Sequence, residues 1–514
     1  MKAIVTRLPL FCLILASCTS TGVGEQNVQN VRPASVAGQF YPADAAGLRL
    51  AIQNFLGDAR PATVEKPVAI VVPHAGYLYS GQIAADGYTQ VKGREYDLVV
   101  ILGTNHTSAD LRGISIYPRG AYRTPLGDAA IDQAVAAALL AKDPACKADT
   151  GEQEKEHSVE VQVPFIQVLF PKAAIVPVVV GTMDPAVCAR FGKALAEVLR
   201  GRRALIIASS DLSHYPAYDD AVAVDRQTLE AIAGLDPDNF RVTVNSWMTR
   251  FIRNLGTCAC GEGPILAAMA AAKALGATHG VVVSYANSGD VVASDRTQVV
   301  GYGSVVFSAA EGKTDIEALV RNAAPPPSGP LTASDKKALL QFARLSLQRY
   351  LSSGTLPLSR NLSARLQFRQ GVFVTLKQNG ELRGCIGHMP ADFPLAVATG
   401  YMAVQAGIND PRFSPISLKD LAGLEIEISA LSPLKSIEKP SEIVLGRDGV
   451  VIQKGGRSAV FLPQVATEQE WDLTEMLDNL CLKAGLPSDG WKSGARFQVF
   501  QADVFGENQS RNDR

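Results

Sequence analysis

Histidine and cysteine are both scarce in this chain of 514 residues, with six copies of the first and eight of the second. So few cysteines over such a length exclude the dense disulfide scaffold of a small secreted domain. An excess of charge of either sign is also missing: 49 basic residues stand against 50 acidic ones. Neither kind gathers into a long block, which removes the electrostatic footprint expected of a nucleic-acid binder. A P-loop pattern is absent, and the nearest approach to a dinucleotide fingerprint, "GEGP" at 261–264, is short and contains a proline, so a nucleotide cofactor is disfavoured. The glycines there, Gly261 and Gly263, and those around "AGYLYSG", Gly76 and Gly81, suit tight turns and close backbone approach.

The chain is too long for one compact core and predicts at least two domains. Its first eighteen residues, "MKAIVTRLPLFCLILASC", carry Lys2 and Arg7, then an apolar run too short to span a bilayer, then Cys18. This reads as an export signal, and the small polar "TSTGVGEQNVQN" after it as a flexible tether over 19–31. Once Cys12 is removed and Cys18 set aside, six cysteines remain, of which Cys258 and Cys260 are too close in sequence for an easy mutual bridge. The Pro- and Ala-rich "NAAPPPSGPLTASD" at 322–335 marks a linker, placed over 309–331, with a helix start at Thr332 or Ser334. The predicted domains are therefore 32–308 and 332–505.

In the first domain, apolar β-branched runs at 68–72, 98–102, 175–180, 204–208 and 281–285 alternate with helical stretches at 128–141, 186–199 and 217–233. Near-continuous apolar strands between helices predict an α/β sheet covered on both faces. The second domain predicts α+β: hairpin turns at Asn379-Gly380 and Gly455-Gly456, with helices at 335–351 and 467–483.

In a covered α/β sheet, polar residues just past the carboxyl ends of strands converge on one crevice. Four such places carry chemistry here: His74 in "PHAGYLYSG", His106 in "GTNHTS", Asp211 and His214 in "SSDLSHY", and Cys260 in "CACGEGPI" just before a helix. His157 opens "HSVEVQVPF", a helix interrupted by Pro164. Imidazole, thiolate and carboxylate are together a metal-binding set. Each also has a plain structural reading: a histidine at a strand end hydrogen-bonds a neighbouring loop, Asp211 and His214 form a local pair, and Cys260 fills apolar space. His279 and His388 lack a comparable set of partners in the sequence. Ser209 and Ser210 beside Asp211 and His214 raise a hydrolase as an alternative, but without the G-x-S-x-G elbow.

The segments "RPASVAGQFYP", "PHAGYLYSG", "LGTNH", "YRTPLGD", "EHSVEVQVPF", "SSDLSHY" and "CGEGPI" resemble, in order, the Memo family, called AmmeMemoRadiSam system protein B in bacteria. The resemblance spans 32–308. It implies a fold like that of the LigB-like extradiol dioxygenases, which use non-haem Fe(II), and a metal trio at His74, His106 and Cys260. His157, Asp211 and His214 match further polar positions of that pocket and are the expected catalytic residues. A third ligand that is a cysteine, where the dioxygenase pattern has a carboxylate, softens the site, so that one ion per chain is expected to be iron or copper. "LRGCIG", "DPRFSP", "LPQVATEQEW" and "KAGLPSDGW" resemble the AMMECR family, AmmeMemoRadiSam system protein A, over 332–504. That likeness implies groove residues Arg383, Cys385, His388, Arg412 and Glu470. The N-terminal segment resembles a lipobox, which implies lipidation at Cys18, a lipid anchor and, in a Gram-negative host, a periplasm-facing place on the outer membrane.

The reading is thus a LigB/Memo-like α/β domain followed by an AMMECR-like α+β domain, with a metal-dependent redox function as the expectation. The alternatives are a non-enzymatic metal carrier or sensor whose second domain docks a protein or peptide, and a metal-independent hydrolase. Both families are associated with a radical SAM partner, so that protein or its product is an expected partner. The chain has no CxxxCxxC motif and is not itself that iron–sulfur enzyme.

Overall fold

The computed structural model describes residues 30–292, 295–310 and 329–508, with positions 312, 316 and 319 besides. The export signal, Cys18, the tether as far as residue 29, and most of the linker lie outside the described residues. Among the described residues no helix is long and apolar enough to cross a membrane.

The first domain is built on an eight-stranded sheet. In spatial order its strands are His279–Asn287, Gly301–Ser308, Pro67–Val72, Ala204–Ser209, Leu98–Thr104, Ala174–Val180, Ile114–Ile116 and Cys146–Ala148. The four central strands run parallel, with Val72 beside Ser209, Leu102 beside Ala208, and Thr104 beside Val180. Their apolar runs are continuous because both faces are covered. Ala69, Val71, Val100 and Leu102 enter one core, and their neighbours Ile70, Val72, Val99 and Ile101 enter the other. Each valine, leucine or isoleucine buried this way contributes about 1.5–3 kcal/mol.

Helices occupy Pro185–Leu199 and Tyr218–Ala233, the first started by an Asp184 side chain that accepts from Ala186 N. The helix expected at 128–141 begins later. Gly127–Ala130 is a strand paired with Ala121–Thr124, and Asp132 caps a helix over Gln133–Lys142. The segment "YRTPLGD" turns back on itself at Gly127, whose φ of +115° a side chain resists, so hairpin pairing wins over the alanine-rich helical signal there.

The second domain has two antiparallel four-stranded sheets. Both expected hairpins form, with Asn379 and Gly380 at φ +55° and +84°, and Gly455 and Gly456 at +57° and +77°. Thr332 caps a helix over Ala333–Ser353 in a reciprocal pair with Asp335. The helix expected at 467–483 is two, Pro463–Glu468 and Leu473–Lys483. Glu470 takes φ +57° between them, and Asp472 with Glu475 starts the second through a capping box. The two domains meet through an Arg349–Asp58 ion pair and through Asn54 Nδ2, which donates to Ser353 Oγ at 3.1 Å. Arg296 also crosses the boundary, donating to the Asp392 carbonyl at 2.8 Å while its guanidinium lies over Tyr218 and Phe393.

Candidate functional site

Parallel strands deliver their carboxyl ends to one edge of the sheet, and each adds a functional residue two positions later. His74 follows Val72, His106 follows Thr104, and Asp211 follows Ser209. Cys260 arrives from the other direction, immediately before the helix Glu262–Ala274. His157 opens a short helix, His157–Glu160, capped by Glu156, and the next helix starts at Val163 with Pro164 in its first turn. The helix of His157 comes close enough because strand position 103 is glycine: a Cβ there would stand 2.5 Å from Ser158 Oγ.

These residues converge as two overlapping groups. His74, His106 and His157 form one, and His74, Asp211 and Cys260 the other; within each, potential ligand atoms lie within 4.8 Å of one another. His74 Nε2 is 3.1 Å from Cys260 Sγ and 4.0 Å from Asp211 Oδ2. The imidazole rings of His106 and His157 stack at 4.4 Å, and each meets the His74 ring edge-on, at 5.2 and 5.5 Å.

Hydrogen bonds behind the rings decide which nitrogen carries the proton. The Pro73 carbonyl can only accept, which orients the Gln162 amide NH2 toward it at 2.8 Å; the same NH2 donates to Ser209 Oγ, also at 2.8 Å. Ser209 gives its own proton to the Ser158 carbonyl at 2.6 Å. His74 Nδ1, 3.0 Å from Ser209 Oγ, must therefore be the donor, and Nε2 keeps its lone pair facing Cys260. His106 follows the same logic. Its Nδ1 donates to Glu156 Oε1 at 3.0 Å and its backbone N–H to Glu156 Oε2 at 2.7 Å, leaving Nε2 free. His214 Nδ1 donates to the Leu212 carbonyl at 3.0 Å. Asp211 Oδ1 accepts the backbone N–H of His74 at 2.7 Å and of Ala75 at 3.2 Å, so this carboxylate shapes the His74 loop as well as facing the ring.

Burial, reinforced by the neighbouring His106, His157 and His214 rings, pushes His74 well below the ordinary imidazole range. Burial and then His106 bring His157 down to about 4. Burial also raises the Cys260 thiol, with Asp211 adding to the effect, and raises Asp211 itself against the pull of His214. Burial acts upward on Glu156 too, but its hydrogen bonds from His106 and Ser158 outweigh it and hold the carboxyl at about 2. The site therefore presents neutral His74 and His157 imidazoles and an ionised Glu156 carboxylate, an environment that favours a bound cation.

Glu156 was missed by sequence reasoning, although it stands directly before His157. Ser209 and Gln162 were also missed in this orienting role, because only the fold brings them behind the His74 ring. Ser210, the serine considered as a nucleophile, donates to the Asp211 carbonyl at 2.7 Å and accepts from Gly261 N–H at 2.9 Å. It thereby fixes the turn that presents Cys260. His279 lies away from this pocket, beside Thr278.

In the second domain, a groove of about 700 Å³ is lined by Cys385 and Arg412 of the expected set. The other three do not line it. Arg383 sits near Asp420, His388 binds Asp392 at 2.6 Å, and Glu470 forms the break between two helices. Arg383 and Cys385, two apart on one strand, would share a face by alternation, but the pairing slips between them, from Gly384 opposite Leu376 to Leu382 opposite Lys377, and leaves Arg383 as the bulged residue.

Residues 32–306 match the family model described as Memo-like protein, and residues 340–505 match that described as AMMECR1. A MEMO1 family protein of Methanopyrus kandleri is 38% identical over 288 residues, covering 54% of this chain and 98% of the relative. One of Methanothermobacter thermautotrophicus is 37% identical over 282 residues, covering 53% and 98%. The crystal structure of an uncharacterized protein from Pyrococcus horikoshii aligns with 34% of this chain and 91% of its own, at 36% identity and a TM-score of 0.33. The chain belongs to the Memo-like family through its first domain and carries an AMMECR1 domain as its second.

Proposed function

We propose that the first domain is a mononuclear metal-binding redox protein, holding one iron or copper ion between His74, His106 and Cys260. The observation that carries this reading is the pair of orienting hydrogen bonds, His74 Nδ1–H to Ser209 and His106 Nδ1–H to Glu156, which turn both Nε2 lone pairs toward the pocket. The donor types suit such an ion. His74 lies within 4.8 Å of His106 in one group and of Cys260 in the other, but the three do not make one such group, so His106 and Cys260 must approach each other for all three to bind. His74 belongs to both groups, so it links His106 on one side to Cys260 on the other.

An iron or copper ion would supply one-electron exchange and an open position for a small reactant. The chain's own groups do the rest. Cys260 would give up its proton in ligating such an ion, while Glu156 and Ser209 keep their imidazoles in the ligating tautomer. His157 is neutral at physiological pH and stacks on His106, which places it to accept a proton from a reactant in the pocket. Phe40 packs against the His157 ring at 4.8 Å and shields it from water. Asp211 and His214 complete the polar wall.

The test is anaerobic purification followed by elemental analysis of wild type, C260A and H106A. One iron or copper per chain in the wild type, lost in both variants, is the expected result. Unchanged metal content in C260A overturns the assignment of Cys260, and a wild type without either metal overturns the proposal.

A further inference from the structure

The second domain holds a thiol with surroundings unlike those of the other described cysteines. All six are free. Burial pushes Cys146, Cys188 and Cys258 up to about 12, and raises Cys260 and Cys481 as well. Cys385 instead lines the 700 Å³ groove together with Arg412 and Lys483. Thr375 Oγ1 donates to its sulfur at 3.3 Å, and Asp410 accepts its backbone N–H at 2.8 Å. Arg412 is fixed by Asp410 at 2.7 Å and reaches the Cys385 carbonyl at 3.3 Å. Lys483 donates to the Val460 carbonyl at 2.9 Å, with its ammonium over the Phe461 ring. Both cations thus line the same groove as the sulfur. Of the lining carboxylates, Glu427 is tied to Lys377 at 3.0 Å, and Glu468 lies on the helix Pro463–Glu468.

We infer that this groove is a second reactive site, in which Cys385 exchanges with the disulfide of a small, carboxylate-bearing molecule. The two cations attract the anion, while Phe461 and Val465 offer an apolar wall to its organic body. Disulfide exchange suits the lining better than acyl transfer to an amine. The groove has no histidine to protonate a departing amine, and a departing thiolate needs no such acid. In the step, Cys385 enters as thiolate, its proton already released to solvent. Its sulfur bonds to one sulfur of the disulfide, the original S–S bond breaks, and the electron pair leaves on the second sulfur. One disulfide is consumed and one mixed disulfide forms, so no further oxidant or reductant is required.

The full chain is treated with the dianionic disulfide dithiobis(nitrobenzoate) and, separately, with neutral dithiodipyridine, and the adduct on Cys385 is followed by peptide mapping. Rates are referred to those of N-acetylcysteine with the same reagents. The expected result is a relative preference of Cys385 for the anionic reagent of about tenfold, reduced at least threefold by K483Q, by R412Q and by high salt. C385S, an isosteric change that keeps the fold, abolishes the adduct at that peptide. The inference is overturned if Cys385 shows no preference beyond that of N-acetylcysteine, if K483Q and R412Q leave the preference intact, or if Cys385 remains unmodified while Cys146 or Cys260 reacts.

Discussion

Replacing Glu160 with glutamine is expected to unfasten the segment that roofs the pocket. Glu160 is completely buried, and five donors converge on its carboxylate: Arg32 NH1, Ser35 N, Ser35 Oγ, Val36 N and Tyr41 OH, at 2.6 to 3.0 Å. These bonds tie residues 32–41, including the Phe40 that packs on His157, to the His157 helix. Glutamine keeps the shape but offers one accepting oxygen, and its NH2 faces donors. The Arg32 side chain, 1% exposed, then loses its counter-charge, for which breaking a buried pair costs about 3–5 kcal/mol. Burial pushes the Glu160 carboxyl upward, but Arg32, Tyr41 and the Val36 and Ser35 amides outweigh it, so its folded value lies below the ordinary 4.5. The stability it contributes is therefore complete above pH 4.5 and is lost as pH falls through the lower folded value. Urea unfolding of wild type and E160Q at several pH values measures the difference, and hydrogen exchange over 32–41 reports the local release. A difference below about 1 kcal/mol at pH 7, a difference that does not shrink in acid, or unchanged protection of 32–41 would refute the reasoning.

Three further outcomes are expected. E156Q removes the charge that fixes the His106 tautomer, and lowers metal affinity about 10- to 100-fold in a chelator competition. G261A places a Cβ 2.5 Å from Ser210 Cβ and 2.6 Å from the Ser209 carbonyl, so it displaces the Cys260 turn and costs more than about 2 kcal/mol in denaturant unfolding. Asp225 behaves in the opposite sense to Glu160. Burial raises it from 3.8 to about 7 against its bonds from Ser213 and Tyr285, so wild type loses about 4 kcal/mol as pH rises through that interval, and D225N, followed by thermal melting, is expected to lack this loss.

The sheet was legible because fully buried parallel strands need unbroken apolar runs, and those at 68–72, 98–102, 175–180 and 204–208, short and rich in β-branched residues, supply them. Local chemistry also showed in the Thr332 cap and the two glycine hairpins, where a few neighbouring residues decide the backbone. The helix expected at 467–483 failed at Glu470, whose left-handed conformation no residue type announces. At the pocket, the strand-end residues His74, His106 and Asp211 could be named from the sequence, since their positions follow from strand direction alone. Their protonation could not. Which imidazole nitrogen carries the hydrogen depends on Ser209, Gln162, Ser158 and Glu156, drawn from distant strands and helices. The sequence by itself determined which chemical groups arrive at the edge of the sheet, through short-range pattern. Tertiary structure alone decided how they are oriented, because hydrogen bonds between segments far apart in the chain exist only once the sheet has closed.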